Sequence, residues 1–173
     1  MSGLIAFGHI DLSQNNITDI SPISMLMELK HVSVNNNEQF SSSEPLRGLR
    51  KLLSAAISHV DTVDLDVFTG MQEFKELSLV SVENADFNIL AKQQLEYLEI
   101  TCDDDTFQTV KQLKSLKTLR LFGDGEFDGE TGQFHGGLTN VDGIEELTNL
   151  GNLYLSAPNC RDISATASLK LEK

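Results

Sequence analysis

A ladder of leucine, isoleucine and valine returns about every 22 residues along this chain. The first rung sets Ile10 and Leu12 two apart, then Asn15, Ile17, Ile20, Ile23 and Leu26. The second runs Leu29, Val32, Val34, Asn37 and Phe40. Placing strand starts at Ile10, Val32, Leu52, Leu77, Leu98, Leu119 and Leu153 gives steps of 22, 20, 25, 21, 21 and 34. Val63-Asp64-Leu65 is a competing reading of the third strand. Apolar residues at i and i+2 share one side of a strand. A unit this short cannot bury that side alone, so successive units must stack and cover one another. The apolar residues after each strand, spaced three apart, then turn the chain and fill the opposite side. Asn15 and Asn37 fall where a buried amide can satisfy loop backbone groups of a neighbouring turn. Later turns place Ile57, Val82, Asp103, Asp124 and Pro158 there, so the ladder is degraded after its second rung.

This pattern predicts an α/β leucine-rich repeat solenoid of about seven turns, with a curved parallel concave sheet and an irregular or short-helical convex side. Leu12-Ser13-Gln14-Asn15-Asn16-Ile17-Thr18-Asp19-Ile20-Ser21-Pro22-Ile23 resembles the 22-residue repeats of bacterial internalins and of the phosphatase regulator of the same repeat class. Glu145-Glu146-Leu147-Thr148-Asn149-Leu150-Gly151-Asn152-Leu153-Tyr154-Leu155 fits the same spelling. The resemblance covers nearly the whole chain. It implies a fold, and it does not name a partner, because this repeat class serves many. Two short helical turns are expected on the convex side. One starts near Pro45 within 43–56, and one runs from Thr106 to Leu113.

The 173 residues, 40% of them hydrophobic, suit a single repeat domain spanning 1–173. One segment breaks the rhythm. Residues 122–137 are glycine-rich and acidic and are expected to loop out of the ladder. Asp124, Glu126 and Asp128 followed by Gly129 have the spacing that opens a calcium loop, but the closing glutamate position is His135, so calcium is not expected. Neither the start of the chain nor any apolar run has the length of a signal or membrane span. Cys102 and Cys160 sit two repeats apart, too far to bridge, and are read as structural thiols of a reducing compartment. A cytoplasmic location follows as the expectation.

Formal charge is −13. That disfavours nucleic acid and anionic membrane and favours a basic protein partner. The acids concentrate between Glu96 and Glu146, where they outnumber Lys and Arg by twelve to four. Asp103, Asp104, Asp105 and Asp124 closely follow their strands, which puts them on one edge of the stack. The outward strand positions are expected to be His9, Asp11 and Ser13; His31, Ser33 and Asn35; Lys51, Leu53 and Ala55; and Glu76, Ser78 and Val80. The later turns add Tyr97, Glu99 and Thr101; Thr118, Arg120 and Phe122; and Asn152, Tyr154 and Ser156. The aromatics of this face lie in its second half, and Tyr and Arg are enriched at binding hot spots. The candidate partner-binding residues are therefore Tyr97, Glu99, Asp103, Asp104, Asp105, Arg120, Phe122, Asp124 and Tyr154.

Catalysis is not expected. His9, Asp11, His31 and Ser33 share neighbouring outward positions, yet an open sheet encloses no pocket, and no phosphate loop, dinucleotide fingerprint or zinc spacing occurs. No cofactor, metal or small-molecule substrate is implied. The expected function is a non-catalytic protein-binding scaffold using the concave face and its acidic edge. Its sharper form is an inhibitor or immunity-type protein that masks a basic enzyme or toxin. The alternative is a secreted or cell-surface adhesion or effector module cut from a larger internalin-like protein.

Overall fold

A computed structural model describes residues 8–171. In chain order its strands are β1 (His9–Asp11), β2 (His31–Ser33), β3 (Ser54–Ala56), β4 (Val60–Thr62), β5 (Glu76–Leu79) and β6 (Val82–Asn84). They continue with β7 (Tyr97–Cys102), β8 (Thr118–Gly123), β9 (Glu126–Asp128), β10 (Gln133–His135) and β11 (Asn152–Ser156). One α-helix, α1 (Asp104–Val110), lies on the convex side with several 3-10 turns. Seven strands form one parallel sheet in the order β1-β2-β3-β5-β7-β8-β11, so each turn pairs with its sequence neighbours. The fold is a leucine-rich repeat solenoid.

The register shows why. Ile10, Val32, Ala55, Leu77, Leu98, Leu119 and Leu153 stand opposite one another across the sheet. Three residues before each later member comes a buried side chain: Leu29, Leu52, Phe74, Leu95, Leu116 and Leu150. Six residues before come Leu26, Leu49, Met71, Leu113 and Leu147, again buried. The three-residue spacing suits the 3-10 turns, in which residues three apart are stacked. One core runs the length of the solenoid.

The third strand departs from expectation. It does not begin at Leu52, so Lys51, Leu53 and Ala55 are not its outward residues. Ala55 and Ile57 point inward, while Ser54 and Ala56 align with His31 and Ser33 on the concave side. Leu52 belongs instead to the buried position that precedes each later strand of the main sheet. With this register the spacings become 22, 23, 22, 21, 21 and 34. The residue at the asparagine position of turn three is accordingly Val60, not Ile57. Val60 pairs with Val82 in a small second parallel sheet, β4 with β6.

The two asparagines also part company. Asn37 is fully buried. Its amide donates to the carbonyls of Leu12 (3.0 Å), Val34 (2.9 Å) and Asn35 (3.3 Å) and accepts from the N–H of Ile17 (2.9 Å), joining two turns. Asn15 is exposed and donates to Leu12 and Ser13 of its own turn. The first turn of helix expected near Pro45 is a 3-10 turn, Glu44–Leu46. The helix expected over Thr106–Leu113 is α1, which begins two residues earlier because Asp103 caps it.

The expected insertion also starts later than residue 122. Phe122 and Gly123 complete β8 and pair with Thr101 and Cys102. Beyond them β9 and β10 form an antiparallel hairpin outside the main sheet. In the last turn Leu153 and Leu155 are half-buried, whereas Leu119 and Leu121 of β8 are fully enclosed between neighbours. Met1–Phe7 lie outside the described residues, and Gly8 accepts backbone bonds from Lys30 and His31.

Candidate functional site on the concave face

Parallel pairing sets Glu99, Arg120 and Tyr154 in one row across β7, β8 and β11. Neighbouring strands are about 4.8 Å apart, so a long side chain on the middle strand reaches both neighbours. Arg120 does so. Its Nε lies 3.4 Å from Glu99 Oε1, and its guanidinium carbon lies 4.9 Å from the Tyr154 ring and 5.9 Å from the Phe122 ring. Phe122 and Tyr154 tilt against each other with centroids 5.6 Å apart. The charge is thus held over two ring faces, a favourable cation–π arrangement. The Arg120 Nε is shielded from water and makes no hydrogen bond, so its contact with Glu99 is a Coulombic one.

Glu99 is the hub. Its Oε2 accepts from the Ser78 hydroxyl (3.1 Å) and the Tyr97 hydroxyl (3.3 Å). Burial, then the Glu99 charge, pushes the Tyr97 phenol above its ordinary pKa, with Arg120 opposing, so Tyr97 stays a neutral donor at physiological pH. Arg120 remains 41% exposed and Tyr154 48%, so the cluster is held in place and still reachable from solvent. Five of the sequence-predicted residues, Tyr97, Glu99, Arg120, Phe122 and Tyr154, are therefore brought together.

The acidic edge is arranged differently. Asp103 caps α1 by accepting the Thr106 N–H at 2.7 Å. Burial pushes its carboxyl up, but hydrogen bonds from Thr106 and nearby backbone N–H groups outweigh that and hold it below the ordinary value. Asp104 accepts from the N–H (2.8 Å) and hydroxyl (2.6 Å) of Thr139, clamping the fifth turn to the segment that follows the hairpin. Asp105 and Asp124 are exposed. Asp103 and Asp124 meet again at the rim of a cavity of about 440 Å³ that also takes in Glu83, Phe87, Thr101 and Cys102. Asp104 is thus tied to the scaffold by two bonds, while Asp105 and Asp124 are the freer charges.

A second concave cavity, about 320 Å³, extends from Tyr97 and Glu99 across Glu76, Ser78 and Ser54 to His31 and His9. Ser54 escapes the sequence pattern because β3 lies three residues later than the spacing of Leu52 implies. Glu83 follows the valine that replaces the ladder asparagine, a position with no distinguishing spelling. The candidate polar residues of the first turns take separate hydrogen-bond partners. His31 Nδ1 lies 2.8 Å from the Ser54 hydroxyl, while the Ser33 hydroxyl pairs with that of Ser13 at 2.6 Å and Asp11 accepts the Ser13 N–H. Among the described residues no group of three His, Cys, Asp or Glu is placed to hold a metal ion. The thiols of Cys102 and Cys160 are free, and burial pushes both up in pKa. Among the same residues no helix is long and apolar enough to cross a membrane.

Solved structures with this architecture include internalins. An internalin (inlF) of Listeria monocytogenes aligns over 94% of this chain and 52% of its own, with 20% identity and a TM-score of 0.58. The internalin inlC2 of the same organism aligns over 94% of this chain and 59% of its own, with 19% identity and a TM-score of 0.52. The chain thus spans between half and three-fifths of the length of these two proteins. At such identity the likeness concerns the fold. No protein-family model matches the sequence, and no curated protein matches it.

Proposed function

We propose that this protein is a non-catalytic binding scaffold that captures a basic protein partner through the Tyr97–Glu99–Arg120–Phe122–Tyr154 cluster and the adjacent acidic edge. The observation that carries this reading is the Arg120 guanidinium held over the half-buried Phe122 ring and the exposed Tyr154 ring, beside Glu99 on the concave sheet. Rigid aromatic and arginine side chains lose little entropy on binding and dominate interface energies. Asp105 and Asp124 lie outside the cluster and raise the local negative field, which speeds capture of a cationic partner. The sharper form is an inhibitor or immunity-type protein that masks a basic enzyme or toxin, acting in the cytoplasm. The free state of both cysteines supports a reducing compartment.

The test is a pull-down with wild type beside Tyr97→Ala/Phe122→Ala/Tyr154→Ala, eluted in rising salt, followed by titration with the purified partner. The expected result is a basic protein released by salt and bound at least about tenfold more weakly by the triple variant. Equal binding by both baits, or affinity insensitive to salt, overturns the reading. An adhesion module of a larger secreted or surface protein is the second reading. It is favoured by the partial coverage of the internalins' own lengths. A reading frame that continues past either end of this chain would support it.

A further inference from the structure

The hairpin of β9 and β10 is a built element. Asp128 closes its turn by accepting the N–H groups of Glu130 (2.8 Å) and Thr131 (3.3 Å) and the Thr131 hydroxyl (2.7 Å). His135 Nε2 lies 3.6 Å from the Asp128 carboxylate. At the base, the Asn159 amide donates to the Gly136 carbonyl at 2.6 Å. Gly137 has φ +70°, and a side chain there would stand on the Asp124 carbonyl oxygen, so the crossing of the two arms requires glycine.

This hairpin holds two aromatic rings in water. Phe127 and Phe134 are directly paired, with centroids 5.1 Å apart and planes at 56°, and they remain 60% and 40% exposed. They bury nothing of the solenoid core. The concave face offers a counterpart built the same way: Phe122 and Tyr154, 5.6 Å apart at 46°. That pair is occupied by Arg120. Among the described residues the arginine–ring contacts belong to Arg120 alone, so the hairpin pair has the rings without the cation.

The hairpin's charge suits a cation from elsewhere. From Asp124 to His135 it carries Asp124, Glu126, Asp128 and Glu130 and no Lys or Arg. Strand alternation turns Glu126 and Asp128 to the face opposite the rings. They therefore act through their field, within the roughly 8 Å over which salt leaves charges coupled. Arg161 lines the cleft beside Phe134, with Thr139 and Asn159. A second copy of this chain is a poor occupant, since it brings the same charge of −13. An arginine supplies both the guanidinium that ring faces attract and the positive charge that the field favours.

We propose that the Phe127–Phe134 pair is a docking site for an arginine-bearing segment of a partner protein. The site is separate from the concave cluster and stands even if that cluster binds nothing.

The test titrates the full isotope-labelled chain with a capped hexapeptide of alternating leucine and arginine, beside the same peptide with neutral citrulline for arginine. The expected result is resonance shifts centred on residues 126–135, with citrulline binding about fivefold weaker or more. Phe127→Leu/Phe134→Leu, which keeps apolar bulk without ring faces, should lose the same preference, and Tyr154→Ala should keep it. Phe127→Tyr/Phe134→Tyr, which restores the ring faces, should bind as wild type does. Shifts centred on Asp103–Asp105, equal binding of the citrulline peptide, an unchanged leucine variant or a tyrosine variant without binding would each overturn the proposal.

Discussion

From β1 to β3 the outward positions of the concave sheet carry His9, Asp11, His31, Ser33, Ser54 and Ala56. From β7 to β11 they carry Tyr97, Glu99, Arg120, Phe122 and Tyr154. The early strands have three residues each, whereas β7 and β8 have six and β11 has five. The first four turns leave the sheet through a left-handed residue at one repeat position: Gln14, Asn36, His59 and Ser81, with φ between 53° and 58°. Such a conformation costs a non-glycine residue about 1–2 kcal/mol. Cross-turn bonds made by the same residues and their neighbours offset it. The N–H groups of Gln14, Asn36 and His59 donate to Asn35, Ser58 and Val80, and Asn35 accepts the Ser58 N–H through its side chain. From β7 onward the strand runs on instead, and inter-turn contact on the concave side passes to rings, guanidinium and carboxylate. One backbone scheme can thus be tied by polar side chains spent on structure, or leave its outward side chains large and reachable.

The largest expected effect asks whether the halves are one cooperative unit. Leu52 and Leu119 are both fully buried. Leu52→Ala and Leu119→Ala should each lower stability by about 2–5 kcal/mol in urea unfolding, through lost burial and the cavity left behind. A single shared transition is expected in both variants. Two separated transitions would break the comparison into two domains.

A smaller effect distinguishes the polar ties of the first half. Asn37→Ala leaves the Ile17 N–H and the Leu12 and Val34 carbonyls without their buried partner. A loss of about 2–3 kcal/mol is expected. Asn15→Ala, the same change at the same repeat position but exposed, should cost less than about 1 kcal/mol. Equal losses would show that the amide ladder is not what holds these turns.

The smallest concerns the cap of α1 in the second half. Asp103→Ala should cost about 1 kcal/mol at pH 7, and Asp103→Asn close to nothing, since asparagine caps as well. The Asp103 carboxyl is held below its unfolded value of about 3.9, so its stabilisation is complete above that pH and is lost as pH falls through the folded value. Wild type should therefore lose more stability between pH 5 and about pH 3 than Asp103→Asn does, as read by urea unfolding at each pH. Parallel curves would remove the cap from the account.

Much of this was legible because solenoid positions are read one turn at a time. Leu29, Leu95, Leu116 and Leu150 announce the strand three residues later by spacing alone. The third strand was misplaced because Leu52 and the small Ala55 invert the usual spelling, and only pairing with Val32 and Leu77 fixes which of them faces inward. The gathering of Tyr97, Glu99, Arg120, Phe122 and Tyr154 followed from counting outward positions. The division of labour among the acids did not. Asp104 differs from Asp105 by a contact with Thr139, 35 residues away, which no local pattern encodes.

The repeat, its handover from strand to turn, the parallel sheet and the face on which the large side chains emerge are all written in the local spelling of the chain. Each of these depends on residues within one turn of about 22, where periodicity carries the information. The tertiary structure alone decided the register at β3, the burial of Asn37 against the exposure of Asn15, the clamp from Asp104 and the antiparallel pairing of Phe127 with Phe134. These depend on which neighbours a turn has on either side and how closely they approach, and that is set by packing between turns rather than by the spelling of any one of them.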